Sequence, residues 1–284
     1  MDKQRALLAA MTATLREKAS IAFEDQQHAA CLAAVRLDGM ALEHVRAPSA
    51  AVALAAVEQN WRALRFVHAS MQSPDVLRAA LEQSGLALQH AATQPAHALC
   101  LLAVERSGGV ALRWVERQAR DVALAAVRLW GGALEYARGE DALCEAVALA
   151  AVANEGAALR FVPPALQSRA VALAAVAADG LALRFLSAAS PAAADGGVGD
   201  IAAAAVAANP LALKHVRAQT PALCAAAVAA DWRALEHARE QPPALCEAAV
   251  AQCALAIKFV RAPSAALVAA AIAADEDARQ YVRA

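Results

Sequence analysis

The sequence predicts an all-α fold, an α-solenoid of about eleven two-helix repeats, and three observations predict it. A short signature recurs along nearly the whole chain at an almost constant spacing. A branched apolar residue stands six residues before each copy, seven once. The apolar content, 60% of 284 residues, is mainly Ala, Val and Leu, with only 4% aromatic. Repetition at this period marks a stacked array, and small side chains suit helices that pack closely against their neighbours.

The signature is Ala-Leu, one polar residue (position x), then a ring. It reads ALEH from Ala41, ALRF from Ala63, ALQH from Ala87, ALRW from Ala111, ALEY from Ala133 and ALRF from Ala158. It continues as ALRF from Ala182, ALKH from Ala212, ALEH from Ala234, AIKF from Ala256 and ARQY from Ala278. The repeats are therefore 22–25 residues long, with one of 30.

Each unit opens with helix A. Its branched residue (Val35, Val57, Leu81, Val104, Val127, Val152, Val176, Val206, Val228, Val250, Ile272) is preceded by Ala in all eleven units. A bulky aliphatic five residues before it shares the same helical face. Asp, Asn or Ser, often followed by Gly as in Asp38-Gly39 and Asp179-Gly180, then reads as a helix stop backed by a helix start. Helix B carries Ala, Leu, the ring and the next Val on one face, with x and the positions three and four further on directed away. Ser73-Pro74 and Thr220-Pro221 read as N-cap and first-turn pairs for the following helix A. Helices this short hold only when stacked.

Residues 1–27 read as an amphipathic capping helix (Leu7, Leu8, Met11, Leu15), and 28–284 as one continuous array. The stretch Ser187–Asp200, about six residues longer than its counterparts, reads as a mobile loop. From about Pro263 the last repeat reads as a polar cap, with Asp275-Glu276-Asp277 and Arg279 in place of the usual Leu. The mean hydropathy of +0.39 raises the question of a membrane. The longest apolar runs, Ile201–Ala208 and Ala265–Ala274, fall short of the ~18–20 residues a span needs. With Arg16, Glu17 and Lys18 close behind the first apolar patch, no Sec-type leader is read. The expected setting is the cytoplasm, or export by a route without such a leader, with six reduced cysteines.

Units such as AVALAAVEQNWRALRFV at Ala51 and DVALAAVRLWGGALEYA at Asp121 resemble the helical repeats catalogued as domain of unknown function 4116. The resemblance covers residues 28–284 and implies a helical array without implying an activity. Through AVAANP at Ala205 the chain also resembles, more weakly, the variant leucine-rich repeats.

His44, His90, His215 and His237 stand in the column filled elsewhere by Phe, Trp or Tyr, so they are expected to serve as flat half-buried rings and not as metal ligands. Cys31, Cys100, Cys224 and Cys246 share a column with Ala and read as small core residues. No cofactor is implied. A nucleophile elbow, a phosphate-binding glycine loop, HExxH and paired helical carboxylates are all missing from the sequence, so no catalytic residue is assigned. Trp61, Trp130 and Trp232 fall in the A–B turns, where they are either exposed anchors or staples folded onto their own unit.

Charge is segregated although the chain carries only −1 overall. The outward helix B positions hold 13 Lys or Arg against five acids, a stripe of +8. Candidate binding residues are Arg65, Arg113, Arg160, Arg184, Lys214, Arg217, Lys258 and Arg261. Glu43/Arg46, Glu135/Arg138 and Glu236/Arg239 are expected as i,i+3 ion pairs. The function expected is a protein-binding scaffold whose helix B face takes an acidic or polar partner, most simply a protein. A nucleic-acid backbone binder on the same stripe is the alternative, though no rings are read as interleaved with its cations. An enzyme with a site near Ser187–Asp200 is a third reading.

Overall fold

The computed structural model describes residues 27–194 and 197–281. The expected capping helix therefore lies, apart from residue 27, outside the described residues, and so does Arg283. Residue 27 belongs to a helix (α1) that is described over 27–37.

The chain forms two compact units, Met1–Arg117 and Gln118–Ala284. In the first, α1 is followed by α2 (Ala50–Gln59), α3 (Pro74–Gln83) and α4 (His97–Arg106). The second contains α5 (Arg120–Leu129), α6 (Glu145–Asn154), α7 (Arg169–Ala178), α8 (Pro191–Ala194) and α9 (Val198–Ala208). It ends with α10 (Pro221–Ala230), α11 (Pro243–Gln252) and α12 (Ala265–Ala274). Within each unit the helices pack against their neighbours in chain order, and no strand occurs among the described residues. The architecture is an all-helical repeat array.

Helix A is as expected. Its Ala before the branched residue is fully buried in α2 to α7 and α9 to α12 (Ala56, Ala80, Ala103, Ala126, Ala151, Ala175, Ala205, Ala227, Ala249, Ala271). Helix B is tighter and shorter than expected. It is a single 3-10 helix in every repeat, for example Trp61–Phe66, Gly156–Phe161 and Trp232–His237, and it ends at the ring. Two local features accompany this, the first in only part of the repeats, since the turns at Gly109, Trp130, Glu155 and Cys253 have no side-chain cap. The side chains of Asp38, Asn60, Ser84, Asp179, Asn209 and Asp231 accept the N–H two residues on, which starts the chain in a narrow turn. The residue after the ring is extended and returns its N–H to the Leu three back, as Val162 does to Leu159, so no further turn follows. The positions three and four beyond x therefore lie past the helix, in bends and linkers or, at Ala69 and Pro164, at the start of a separate short 3-10 helix, and do not continue a helical stripe.

The turn glycines also have a different cause from the one expected. Positive φ occurs among the described residues only at Gly108, Gly109 and Gly139. Gly156 is needed for close approach, because a Cβ there would stand 2.5 Å from the carbonyl oxygen of Ala175 in the next helix. The buried Ala and the preceding glycine are thus two sides of one contact.

The Ser187–Asp200 stretch is not a loose loop where it is described. Ser190 and Ala192 are fully buried, and the Ala192 N–H donates to the Gln167 carbonyl. Helix α9 already begins at Val198. In the last repeat Arg279 is exposed and lies 3.8 Å from Glu276, as a polar end requires.

Candidate binding face

The 3-10 helices present position x to solvent and hold the ring beside it half-buried, except at His44 and Tyr281, which are exposed. Arg65, Arg113, Arg160, Arg184, Lys214 and Lys258 are all exposed. Five of them lie over a ring rather than extending freely. In the first unit the Arg65 guanidinium carbon is 4.5 Å from the centre of Phe66, and that of Arg113 is 5.0 Å from Trp114. In the second, Arg160 and Arg184 sit 4.4 Å above Phe161 and Phe185. Lys258 Nζ faces three rings, 4.8 Å from Phe259, 5.5 Å from Trp232 and 5.8 Å from Tyr281. A guanidinium resting on a ring is already oriented, so its outward N–H groups lose less freedom on meeting an anion. Arg65, Arg160, Arg184, Lys214 and Lys258 make no ion pair among the described residues. Rings and cations are therefore interleaved on this face, contrary to the expectation from sequence.

The expected i,i+3 pairs do not form among the described residues. The reason is the early end of the 3-10 helix, which takes the later arginines off the helical surface. Two of these arginines bind the preceding repeat instead. Arg239 donates to the carbonyls of Arg217 at 2.5 Å and Val216 at 3.4 Å. Arg261 donates to those of Arg239 at 2.7 Å and Ala238 at 2.9 Å, so its role is to hold the array rather than to offer a free charge. Arg217 is exposed.

The tryptophans divide. Trp130 packs on Tyr136 of its own repeat, ring centres 6.1 Å apart. Trp61 and Trp232 reach the following repeat instead, with ring centres 6.3 Å from His90 and 5.8 Å from Phe259. All three are half-buried and extend the ring column; none is a fully exposed anchor.

Burial, then the charge of Arg65, pushes the His90 ring below its ordinary pKa. His215 is lowered by burial first, then by Lys214, Arg184 and His237. Both rings are held toward the neutral form, in keeping with a column shared with Phe and Tyr. Burial raises the thiols of Cys100, Cys224 and Cys246, which keeps them protonated and unreactive. Among the described residues no three His, Cys, Asp or Glu groups come together as a metal site, and no helix is long and apolar enough to cross a membrane.

The sequence reading missed a set of glutamines that sets the spacing of this face. Gln167 donates to the Val162 carbonyl of its own repeat at 3.0 Å and to Phe185 of the next at 3.4 Å, and accepts the Ser187 N–H at 2.8 Å. Gln72, Gln219 and Gln241 repeat the pattern, and Gln118 makes its outer half. Each of the five stands 18 residues before the ring it bonds. That constant offset was available in the sequence, but polar linker residues gave no apolar periodicity to draw attention to them.

No family model matches the chain, and neither the curated proteins nor the solved structures contain a match to it.

Proposed function

We propose that the chain is a binding scaffold whose 3-10 face receives an acidic protein segment. The observation that carries this reading is the row of cations at position x in the second unit. Arg160, Arg184, Lys214 and Lys258 are exposed and without ion-pair partners among the described residues. Three of the four are laid over a ring. Such groups present a fixed, partly desolvated positive surface, which steers and orients an anionic partner. The reading gives the protein no catalytic step. Glu135, Glu236 and Gln280 occupy the other x positions of the second unit; in the first unit Arg65 and Arg113 repeat the arrangement, and Glu43 and Gln89 occupy the others.

A nucleic-acid strand is the second reading, favoured by the interleaving of rings with cations. The two readings separate in one experiment. Fluorescence anisotropy would compare a labelled polyglutamate peptide with a labelled oligodeoxythymidine, on wild type and on a variant carrying Arg160→Glu, Arg184→Glu, Lys214→Glu and Lys258→Glu. We expect the peptide to bind wild type and to lose the variant, with melting unchanged. Tighter binding of the oligonucleotide, falling steeply with salt, selects the second reading. Equal peptide binding by wild type and variant overturns the choice of face.

A further inference from the structure

In the second unit a groove of about 460 Å³ opens between the N-terminal ends of α10 and α11. The volume falls within the range of ligand-holding clefts. Its floor is made by the buried Cys224 and Leu245, and its walls by the exposed small residues Ala225, Ala244 and Ala248. The origin of the groove is local. In α6 and α7 the first helical residue is long and polar, and these side chains reach their neighbours: Ser168 Oγ donates to Glu145 Oε1 at 2.6 Å, and Arg169 pairs with Asp200 of α9. In α10 and α11 the first residue is Pro221 or Pro243, which has no side chain to reach across.

The rim is charged. Arg217 is exposed and makes no ion pair among the described residues, whereas Arg239 beside it is held by backbone carbonyls. Glu240 stands on the same rim. The α11 N-terminus adds positive partial charge and has no side-chain cap. Arg217 follows Lys214 by three residues, so the groove adjoins the cationic row.

We infer that this groove is an anchor site for an aliphatic side chain of an acidic peptide segment, whose neighbouring carboxylate pairs with Arg217. The inference rests on the reading of the 3-10 face as an acidic-partner surface. An apolar floor rewards a Leu-sized group, and the free guanidinium makes the adjoining position selective for a carboxylate. Charge alone then brings the partner to the row, and the groove fixes its register.

The test uses the full chain and two labelled peptides, one of alternating Asp and Leu and one of alternating Asp and Ser. The Leu peptide is expected to bind wild type at least ~10-fold more tightly than the Ser peptide. Ala244→Leu fills the groove from an exposed position and should remove that preference while leaving the melting curve and the Ser peptide unchanged. Arg217→Gln should weaken both peptides. Equal affinity of the two peptides for wild type, or an unchanged preference in Ala244→Leu, overturns the inference. The four-residue reversal separates the two proposals. If it abolishes binding while Ala244→Leu has no effect, the face stands and the groove fails. If the reversal has no effect while Ala244→Leu removes the Leu preference, the groove stands and the face fails.

Discussion

In the second unit Leu159, Leu183, Leu213, Leu235 and Ile257 are shut away from solvent, while the rings two residues later, Phe161, Phe185, His215, His237 and Phe259, stay half open. The inner column stays aliphatic, Leu or Ile, up to the last repeat, where Arg279 takes its place. The outer one exchanges phenylalanine for histidine without disturbing the fold. Packing fixes the first, because a fully enclosed side chain must match its cavity. The second needs only a flat group that covers the edge of the core and supports a cation. The difference teaches where this molecule can vary, and so where a partner can be recognised.

The widest gap between the columns should appear on truncation. Leu159→Ala leaves a cavity in a fully enclosed site and should cost about 2–5 kcal/mol, and Phe161→Ala should cost roughly 1–2 because only part of its ring is buried. Denaturant melts of the two variants measure this, and a Phe161→Ala cost equal to that of Leu159→Ala would make the outer column part of the core. Gln167→Ala comes next. It strips the Ser187 N–H and two carbonyls of their partner in a buried setting and should cost about 1–3 kcal/mol. An unchanged melting midpoint would mean that water replaces the amide.

A smaller effect concerns pH. His215 has its folded pKa lowered from the ordinary 6.5. As pH falls below that value, the unfolded chain takes up the proton first. Stability is therefore full above about 6.5 and declines until the folded ring also titrates. His215→Phe should flatten this part of the decline, read as a smaller drop in melting temperature between about pH 7.5 and 5. An identical drop in the variant would show that the ring titrates normally.

Much of this organisation was legible in the sequence. The repeat, its Ala/Val helix and its ring column followed from spacing, because burial imposes a period on apolar residues. The exposure of x followed from the same pattern. What stayed hidden depended on helix type. Nothing in ALRF distinguishes a 3-10 turn from an α turn, and that choice removed Arg261 and its counterparts from the face. The role of Gly156 was hidden as well, since a glycine placed for close approach looks in sequence like one placed for a left-handed turn. The folding of Trp61 and Trp232 onto the next repeat required contacts between residues more than one unit apart.

The glutamines carry one more consequence. From Gln72, Gln118, Gln167, Gln219 and Gln241 to the ring residue whose carbonyl each one meets, the separation is 18 residues, in repeats of 22 and of 24, whereas Gln94 bonds Arg117 beyond its ring. In those five repeats the chain keeps one interval and leaves its slack in the stretch between a ring and the next helix A. The 30-residue repeat places its additional length there, at Ser187–Asp200, after the interval fixed by Gln167 has closed at Phe185. Extra residues inserted at that point cost little beyond loop closure. Growth by decoration is open to this molecule between a ring and the next helix A, and a residue added inside the interval moves the amide off the ring residue's carbonyl, as at Gln94, which bonds Arg117.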